Sequence, residues 1–346
     1  MIQQWRDQLQ ARGNLNAISG RRCGELGGMP AVWTAAPSGL KTSRPPVKAD
    51  RVNQAFILGA GLGTRLRPLT ERLPKPLVPL FHRPLAEWAM ESCEKAGIQR
   101  FAVNTHHLPK AWLDFSKERD ITLFHEPVLL ETGGGLKNIA NWMGREPVLV
   151  HNGDIFSTLP LEKLIAAHEA SGLPVTLALR TDGPARHIAL DPTATRVTDI
   201  RNLLDRAEGT HLFSGIYCVS PDFLDLIPVN EKIPVIPAFL ELAGRGQLGA
   251  IVLDEGVWLD LGDRDFYLQA HRELDLAPAV HSLASVAPGA VIERSVVGPG
   301  AVIEAGAIVR DSVIWPGGRV GGGAVLDRCI VFSETPVSGN YQDCDL

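Results

Sequence analysis

Gly59-Ala-Gly-Leu-Gly-Thr-Arg-Leu-Arg-Pro-Leu-Thr-Glu-Arg-Leu-Pro-Lys-Pro-Leu-Val-Pro79 follows directly on the apolar run Ala55–Leu58. A short buried strand that opens into three glycines at alternate positions lets backbone approach a ligand closely and turns N–H groups toward it. Arg65 and Lys75 add fixed positive charge, Arg as a bidentate fork and Lys as a compact point charge. Pro74 and Pro76 flank Lys75, and their restriction of the backbone predicts extended structure around it rather than a helix. This is the chemistry of a phosphate cradle. Two other Gly-rich loops fail on spacing. A dinucleotide fingerprint needs a third glycine where Thr64 stands, and a P-loop needs Lys-Ser/Thr after Gly63, where the chain has Thr64-Arg65.

Outward from this loop, apolar runs at Phe101–Val103, Ile121–Phe124, Val148–Val150 and Val175–Leu179 alternate with helical spacing at Leu85, Trp88, Ala89, Cys93 and at Leu161, Leu164, Ile165, His168. That alternation predicts a mostly parallel sheet covered on both faces, with ligands beyond the carboxyl ends of its strands. Three further segments sit at such ends. Glu131-Thr-Gly-Gly-Gly135 precedes a helical stretch, Leu136–Met143, and its bulk-free residues could pack on a flat base and donate N–H groups to it. Pro147-Val-Leu-Val-His-Asn-Gly-Asp154 ends a strand in an acid, a placement that suits Mg2+. Val257-Trp-Leu-Asp-Leu-Gly-Asp263 offers Asp260, with Asp263 suited to cap a following helix.

The loop with its Pro-Lys-Pro sequel resembles the signature of the sugar-1-phosphate nucleotidyltransferases. The resemblance covers roughly Val52 to Leu276. It implies that Leu58, Gly59, Ala60, Gly61, Gly63, Thr64 and Arg65 hold the nucleotide phosphates, and that Lys75 stabilises the phosphate under attack. It further implies that Thr132, Gly133 and Gly134 recognise the base, and that Asp154 and Asp260 bind Mg2+. Asn152, Gly153 and Gly215, the last in the strand-like Leu212-Phe-Ser-Gly-Ile-Tyr217, would face the sugar. Arg65, Lys75, Asp154 and Asp260 are then the catalytic set.

The chain departs from the family pattern where a Glu-Lys pair is common. It carries Asp199-Ile-Arg-Asn202, where Arg201 reads as a solvated strand-end residue rather than a substitute for the lysine. Phe101-Ala-Val-Asn-Thr-His-His-Leu-Pro109 also matches family usage, with Asn104 above the sheet. Adjacent His106 and His107 read as structural. The Glu131-Thr-Gly-Gly-Gly run resembles the N-acetylmuramate 1-phosphate uridylyltransferase branch. Asn104-Thr-His-His-Leu-Pro and the appended tail resemble mannose-1-phosphate guanylyltransferases. These cues lean to UTP, with GTP close behind.

The tail has its own architecture. Val297, Ile314 and Val331 lie 17 residues apart, as do Ser295, Ser312 and Cys329. Units of six, six and five residues, led by Val297, Ile303 and Val309, describe three faces per turn of a parallel β-helix with apolar residues inward. The expected fold class is therefore α/β: a Rossmann-like, mostly parallel sheet forming the catalytic domain (52–276), followed by a short left-handed parallel β-helix of hexapeptide repeats (281–335) and a C-terminal tail (336–346). Stacked coils of this kind predict a homo-oligomer. An acyltransferase reading is disfavoured because no histidine follows His281, and a non-catalytic regulator of the same fold would be expected to lose some of the four charged residues.

Composition narrows the rest. A net charge of −5 across 346 residues predicts neither a nucleic-acid partner nor an anionic membrane. Five dispersed cysteines without a C-x-x-C pair suit reduced thiols. No apolar run approaches bilayer length and no secretory h-region opens the chain, so a cytoplasmic protein is expected. Residues 1–51, rich in Arg and Lys and broken by Gly and Pro, read as a flexible extension.

Overall fold

The computed structural model describes residues 51–346, so the predicted N-terminal extension lies, but for Arg51, outside the described residues. The strand that feeds the glycine loop, β1 (Gln54–Leu58), sits mid-sheet between β2 (Arg100–Thr105) and β4 (Val148–Asn152), parallel to both. β3 (Ile121–His125) extends one side. On the other lie β7 (Leu212–Val219), β6 (Val175–Arg180) and β8 (Leu248–Val252), giving the order β8-β6-β7-β4-β1-β2-β3. Only β7 runs antiparallel to its neighbours. The inner strands are β-branched and apolar on both faces because helices cover both sides. Thus Ala55, Ile57, Val103 and Leu149 pack with Ala86, Ala89 and Cys93 of α1 (Leu85–Lys95) and with Leu161, Leu164 and Ile165 of α4 (Leu161–Ser171). The other helices of two turns or more among the described residues are α2 (Pro109–Ser116), α3 (Glu131–Asn138), α5 (Ile236–Gly244) and α6 (Arg264–Glu273).

A small antiparallel pair lies beyond the sheet's carboxyl edge. β5 (Ile155–Ser157) pairs with β9 (Trp258–Asp260), so that Asp260 lies opposite Ile155. Asp263 then caps α6 by accepting the Phe266 N–H, as its position after the Gly predicted.

The β-helix follows from Ser285. Strands on its three faces pair in parallel with partners 17 residues on: Val291 with Ile308 and Val325, Val296 with Val313 and Ile330, Ser285 with Val302 and Arg319. Val297, Ile303, Val309 and Ile314 point inward, matching the six-six-five reading. The residues assigned to a C-terminal tail instead complete a coil. Asn340–Gln342 pairs with Val325–Asp327 at an offset of 15, and the Phe332 N–H donates to the Leu346 carbonyl. The Gly-poor stretch 340–346 hid this because its repeat is two residues short. One corner column, Arg294, Asp311, Arg328 and Asp343, takes left-handed backbone in every coil and alternates in charge, with ion pairs at 2.6 Å between Arg294 and Asp311 and between Arg328 and Asp343. Such exposed pairs set register more than they add stability.

Three buried histidines of the α/β domain are neutral, the first of them His151 of β4, which donates from Nδ1 to the Asn152 carbonyl and whose pKa burial lowers to about 4. His168 of α4 lies between the Thr176 and Ser220 hydroxyls, and His271 of α6 accepts the Phe81 N–H at Nε2 while donating from Nδ1 to the Tyr267 carbonyl. Burial pushes each pKa down from 6.5 to about 4. Between those values the unfolded chain takes up a proton at each ring that the folded chain refuses. Stability should therefore fall as pH falls through this window, by about 1.4 kcal/mol per pH unit for each histidine. Urea unfolding in steps from pH 7 to pH 4 measures it, and a flat profile would refute the neutral, buried assignment.

Candidate active site

Leu58, Asn104 and Asn152 end three neighbouring parallel strands in register, and all three border one open cavity of about 500 Å3. Ala60, Gly61, Gly63, Thr64, Arg65, Lys75, Thr132 and Asp154 complete the predicted residues that line it, joined by Pro76, Leu129, Glu131, Pro234 and Gly262.

The glycine loop divides its labour. Gly59 donates its N–H to Asn104 Oδ1 at 2.8 Å, and a Cβ there would stand 2.7 Å from the Trp112 ring and the Asn104 carbonyl. Its role is close packing, and its amide is not free for a phosphate. Gly63 turns the chain with φ 61°, and its carbonyl is held by Thr70 Oγ1 at 2.9 Å and by the Leu66 N–H at 3.0 Å. Among the described residues, no protein acceptor faces the N–H groups from Ala60 to Arg65. These amides line the cavity edge as unpaired donors.

Lys75 opens a single 3-10 turn, Lys75–Leu77, where the prolines had predicted extended backbone. The turn tolerates both prolines because its bonds, Leu77 N–H to Pro74 O and Val78 N–H to Lys75 O, need no donor at either one. It buries Lys75 to 6% exposure and aims Nζ at Asp154 Oδ2, 2.8 Å away, with Asp260 Oδ1 at 3.8 Å. Asp154 arrives from the end of β4 and Asp260 from β9. Their backbones are tied by the Leu261 N–H donating to the Asp154 carbonyl. Arg65 lies against Gly262, where an added Cβ would meet its guanidinium at 2.9 Å.

Arg65, Lys75 and Asp154 thus border the cavity, and Asp260 stands behind Lys75 without lining it. Burial and the facing Asp154 raise the Asp260 carboxyl above its ordinary value, against the pull of Lys75 and Arg65. Asp260 Oδ1 is buried and has no hydrogen-bond partner among the described residues. An orphaned carboxylate oxygen facing a second carboxylate suits a hard divalent cation. No cage of three or more His, Cys, Asp or Glu occurs among the described residues, so such an ion would take its other ligands from phosphate and water.

Two sequence expectations change. The run Glu131–Gly135 is the first part of α3 itself, because the helix begins at Glu131, whose φ is 61°. Gly133 and Gly134 are buried, and both N–H groups donate to the Ile233 carbonyl, at 2.9 and 3.0 Å. They make room for the 231–235 backbone and have no amide left for a base, so Glu131 and Thr132 line the cavity in their place. Gly153 and Gly215, expected at the sugar, border no part of it. The Gly153 N–H donates to the Leu58 carbonyl, and Gly215, at φ 76° in a bulge of β7, makes space for Asn152. Arg201 is exposed and does not line the cavity. Asp199 is buried, its carboxylate consumed by the N–H groups of Ile200, Leu204 and Arg206.

The chain matches the Nucleotidyl transferase family over residues 54–276 and the GlmU-like C-terminal hexapeptide family over residues 267–342. It belongs to the sugar-1-phosphate nucleotidyltransferases. Among its relatives is the mannose-1-phosphate guanylyltransferase of Mycobacterium tuberculosis (strain ATCC 25618 / H37Rv), 30% identical over 72% of this chain and 76% of that protein. Another is the probable mannose-1-phosphate guanylyltransferase 1 of Oryza sativa subsp. japonica, 30% identical over 72% and 74%. A solved UDP-glucose pyrophosphorylase from "acinetobacter baumanii" shares the fold, with a TM-score of 0.54 at 18% identity over 63% of this chain and 92% of that one.

Sequence reasoning overlooked Glu126 in this nucleotidyltransferase. It is 1% exposed, accepts Asn104 Nδ2 at 2.7 Å and the Leu130 N–H at 2.9 Å, and so links the glycine loop to the start of α3. Looking past the carboxyl end of Ile121–His125, as was done for the other strands, would have found it. His106 and His107 donate to the Glu126 and Thr70 carbonyls, and neither borders the cavity. No helix among the described residues is long and apolar enough to cross a membrane.

Proposed function

We propose that this sugar-1-phosphate nucleotidyltransferase is a guanylyltransferase that joins GTP to mannose 1-phosphate. The observation that carries the base and sugar is the set of relatives at 29–30% identity over 72% of the chain, named as mannose-1-phosphate guanylyltransferases. Glu131 on the cavity wall gives the base a chemical reason. A carboxylate only accepts hydrogen bonds, and guanine presents two adjacent donors, N1–H and the 2-amino group, where uracil presents a single N–H between two carbonyls.

The acceptor phosphate is ionised at neutral pH and needs no general base, so catalysis reduces to alignment and neutralisation of charge. An acceptor oxygen attacks the α-phosphate in line, the new P–O bond forms, and the bond to pyrophosphate breaks. Lys75, buried and directed by Asp154, carries positive charge to the α-phosphate. Arg65 and the unpaired amides from Ala60 to Arg65 receive the departing pyrophosphate. Asp154 and Asp260 would hold Mg2+, which when bound would supply Lewis-acid neutralisation of phosphate charge. We read the enzyme as cytoplasmic and self-associating through its β-helix.

A pyrophosphate-release screen crossing the four NTPs with several sugar 1-phosphates tests the assignment. GTP with mannose 1-phosphate is expected to lead in kcat/KM by at least about tenfold, the scale of one good hydrogen-bonded discrimination. A lead for UTP with N-acetylmuramate 1-phosphate would overturn the base and sugar and leave nucleotidyl transfer standing.

A further inference from the structure

Two sets of contacts join the β-helix to the segments that carry the charge cluster, and Val296 of the coils also packs in a cluster with Leu261, next to Asp260. Leu66, next to Arg65, packs in one buried cluster with Leu69, Val78, Tyr267 and Leu268 and with Val313, Trp315 and Ile330 of the coils. Leu66 and Tyr267 are 1% exposed and Trp315 5%. Within the cluster, Tyr267 donates its hydroxyl to the Pro79 carbonyl at 2.6 Å and accepts Trp315 Nε1–H at 3.0 Å. Arg72, between Arg65 and Lys75, stacks its guanidinium 4.4 Å above the Phe332 ring and donates to the Phe332 carbonyl. Leu66, Leu69, Arg72 and Val78, on either side of Lys75, are thus anchored to the coils.

The second contact holds the other half of the charge cluster. Helix α6 starts four residues after Asp260, and its first residue, Arg264, donates to Asp345 at 2.7 Å and to the Arg328 carbonyl. Arg328 in turn donates to Asp265 at 2.9 Å. The segments bearing Lys75 and Asp260 come from distant parts of the chain. Tyr267, on α6 and bonded to both Pro79 and Trp315, ties the two together.

We propose that the β-helix is the platform that sets Lys75 against Asp260, with Tyr267 and Trp315 as positioning residues for nucleotidyl transfer. The inference rests on the roles given above to Lys75 and Asp260. Neither Tyr267 nor Trp315 borders the cavity, so their effect passes through the geometry of other groups. Displacement of a reacting group by about 1 Å costs on the order of a hundredfold in rate, so a modest loosening of this joint has a measurable effect.

Full-length Tyr267→Phe and Trp315→Leu are compared with Val309→Ala, a core change in the coils outside this cluster. Each is assayed by pyrophosphate release well below its Tm, with native mass spectrometry to check assembly. The joint variants are expected to lose at least about tenfold in kcat with KM for the nucleotide changed less than about threefold, while Val309→Ala lowers Tm and keeps kcat within about twofold. Tyr267→Phe keeps the ring and removes one oxygen, so it serves if Trp315→Leu does not fold. In a Lys75→Met background the joint substitutions should cost no more than about a further twofold, because their target is already gone. Wild-type kcat in both joint variants, an equal kcat loss in Val309→Ala, or full multiplication with Lys75→Met would each overturn the proposal. A wild-type protein that releases no pyrophosphate from any pair would instead remove the reading on which it rests.

Discussion

Asp154→Asn is expected to reduce turnover by at least about a hundredfold while the protein stays folded, since removing a key charge from a preorganised site typically costs several kcal/mol of transition-state stabilisation. The amide is isosteric and still offers Lys75 an oxygen at the 2.8 Å position of Oδ2. The backbone around it is held independently, by Gly153 N–H to Leu58 O and by Leu261 N–H to the Asp154 carbonyl. The lost negative charge is therefore isolated from loss of fold. In the proposed site that charge would hold the ion as well as orient Lys75, so kcat should fall more than the nucleotide KM rises. Pyrophosphate release in Mg2+ together with a circular-dichroism melt makes the test. Near-normal turnover with an unchanged melt would remove Asp154 from the metal site.

Lys75→Met should cost about a hundred- to a thousandfold in kcat, the scale seen when one preorganised charge donor leaves an active site. Methionine preserves the apolar stem in its buried 3-10 turn, so packing against the flanking Leu77 and Val78 is largely retained. What remains is a pair of carboxylates, one already raised by burial and by its neighbour, without the cation that faced both. A divalent ion should then bind the variant more tightly than the wild type, and Mg2+ should raise its Tm by more, because binding to the folded state alone stabilises by mass action. Thermal melts across a Mg2+ series measure this. An equal or smaller Mg2+ effect in Lys75→Met would argue that the two aspartates do not share an ion.

The architecture was legible where a residue's environment is decided by its own segment. The apolar run before Gly59, the helical spacing of α1 and α4 and the inward-facing period of the coils each state which side is buried. So does the strand that ends in Asp154. Gly133, Gly134 and Gly215 misled for a common reason. A missing Cβ announces a close approach without naming what approaches, and here it is the backbone of Glu231, Ile233 and Pro234 and the Asn152 side chain. Lys75 misled differently, because proline restrains the bonds on either side of it yet both restraints are met inside one short turn. The pairing of β5 with β9, which brings Asp260 to Asp154, involves strands of three residues each. Runs so short carry no periodicity, and their meeting is decided by tertiary packing. Glu126 is silent for the same reason, being one acid after one strand until Asn104 and Leu130 close on it.

A pile of equal turns has no intrinsic reason to stop, and its open rim is an invitation for a stray strand to add another layer. In this chain the lap that reaches Asn340–Gln342 is cut from 17 residues to 15, and Leu346 is drawn back to accept from Phe332. An incoming lap of standard length would find its corners out of step with those beneath it. The shortened lap thus works like a change of weave in a cloth, a row that a strand of the standard repeat does not match.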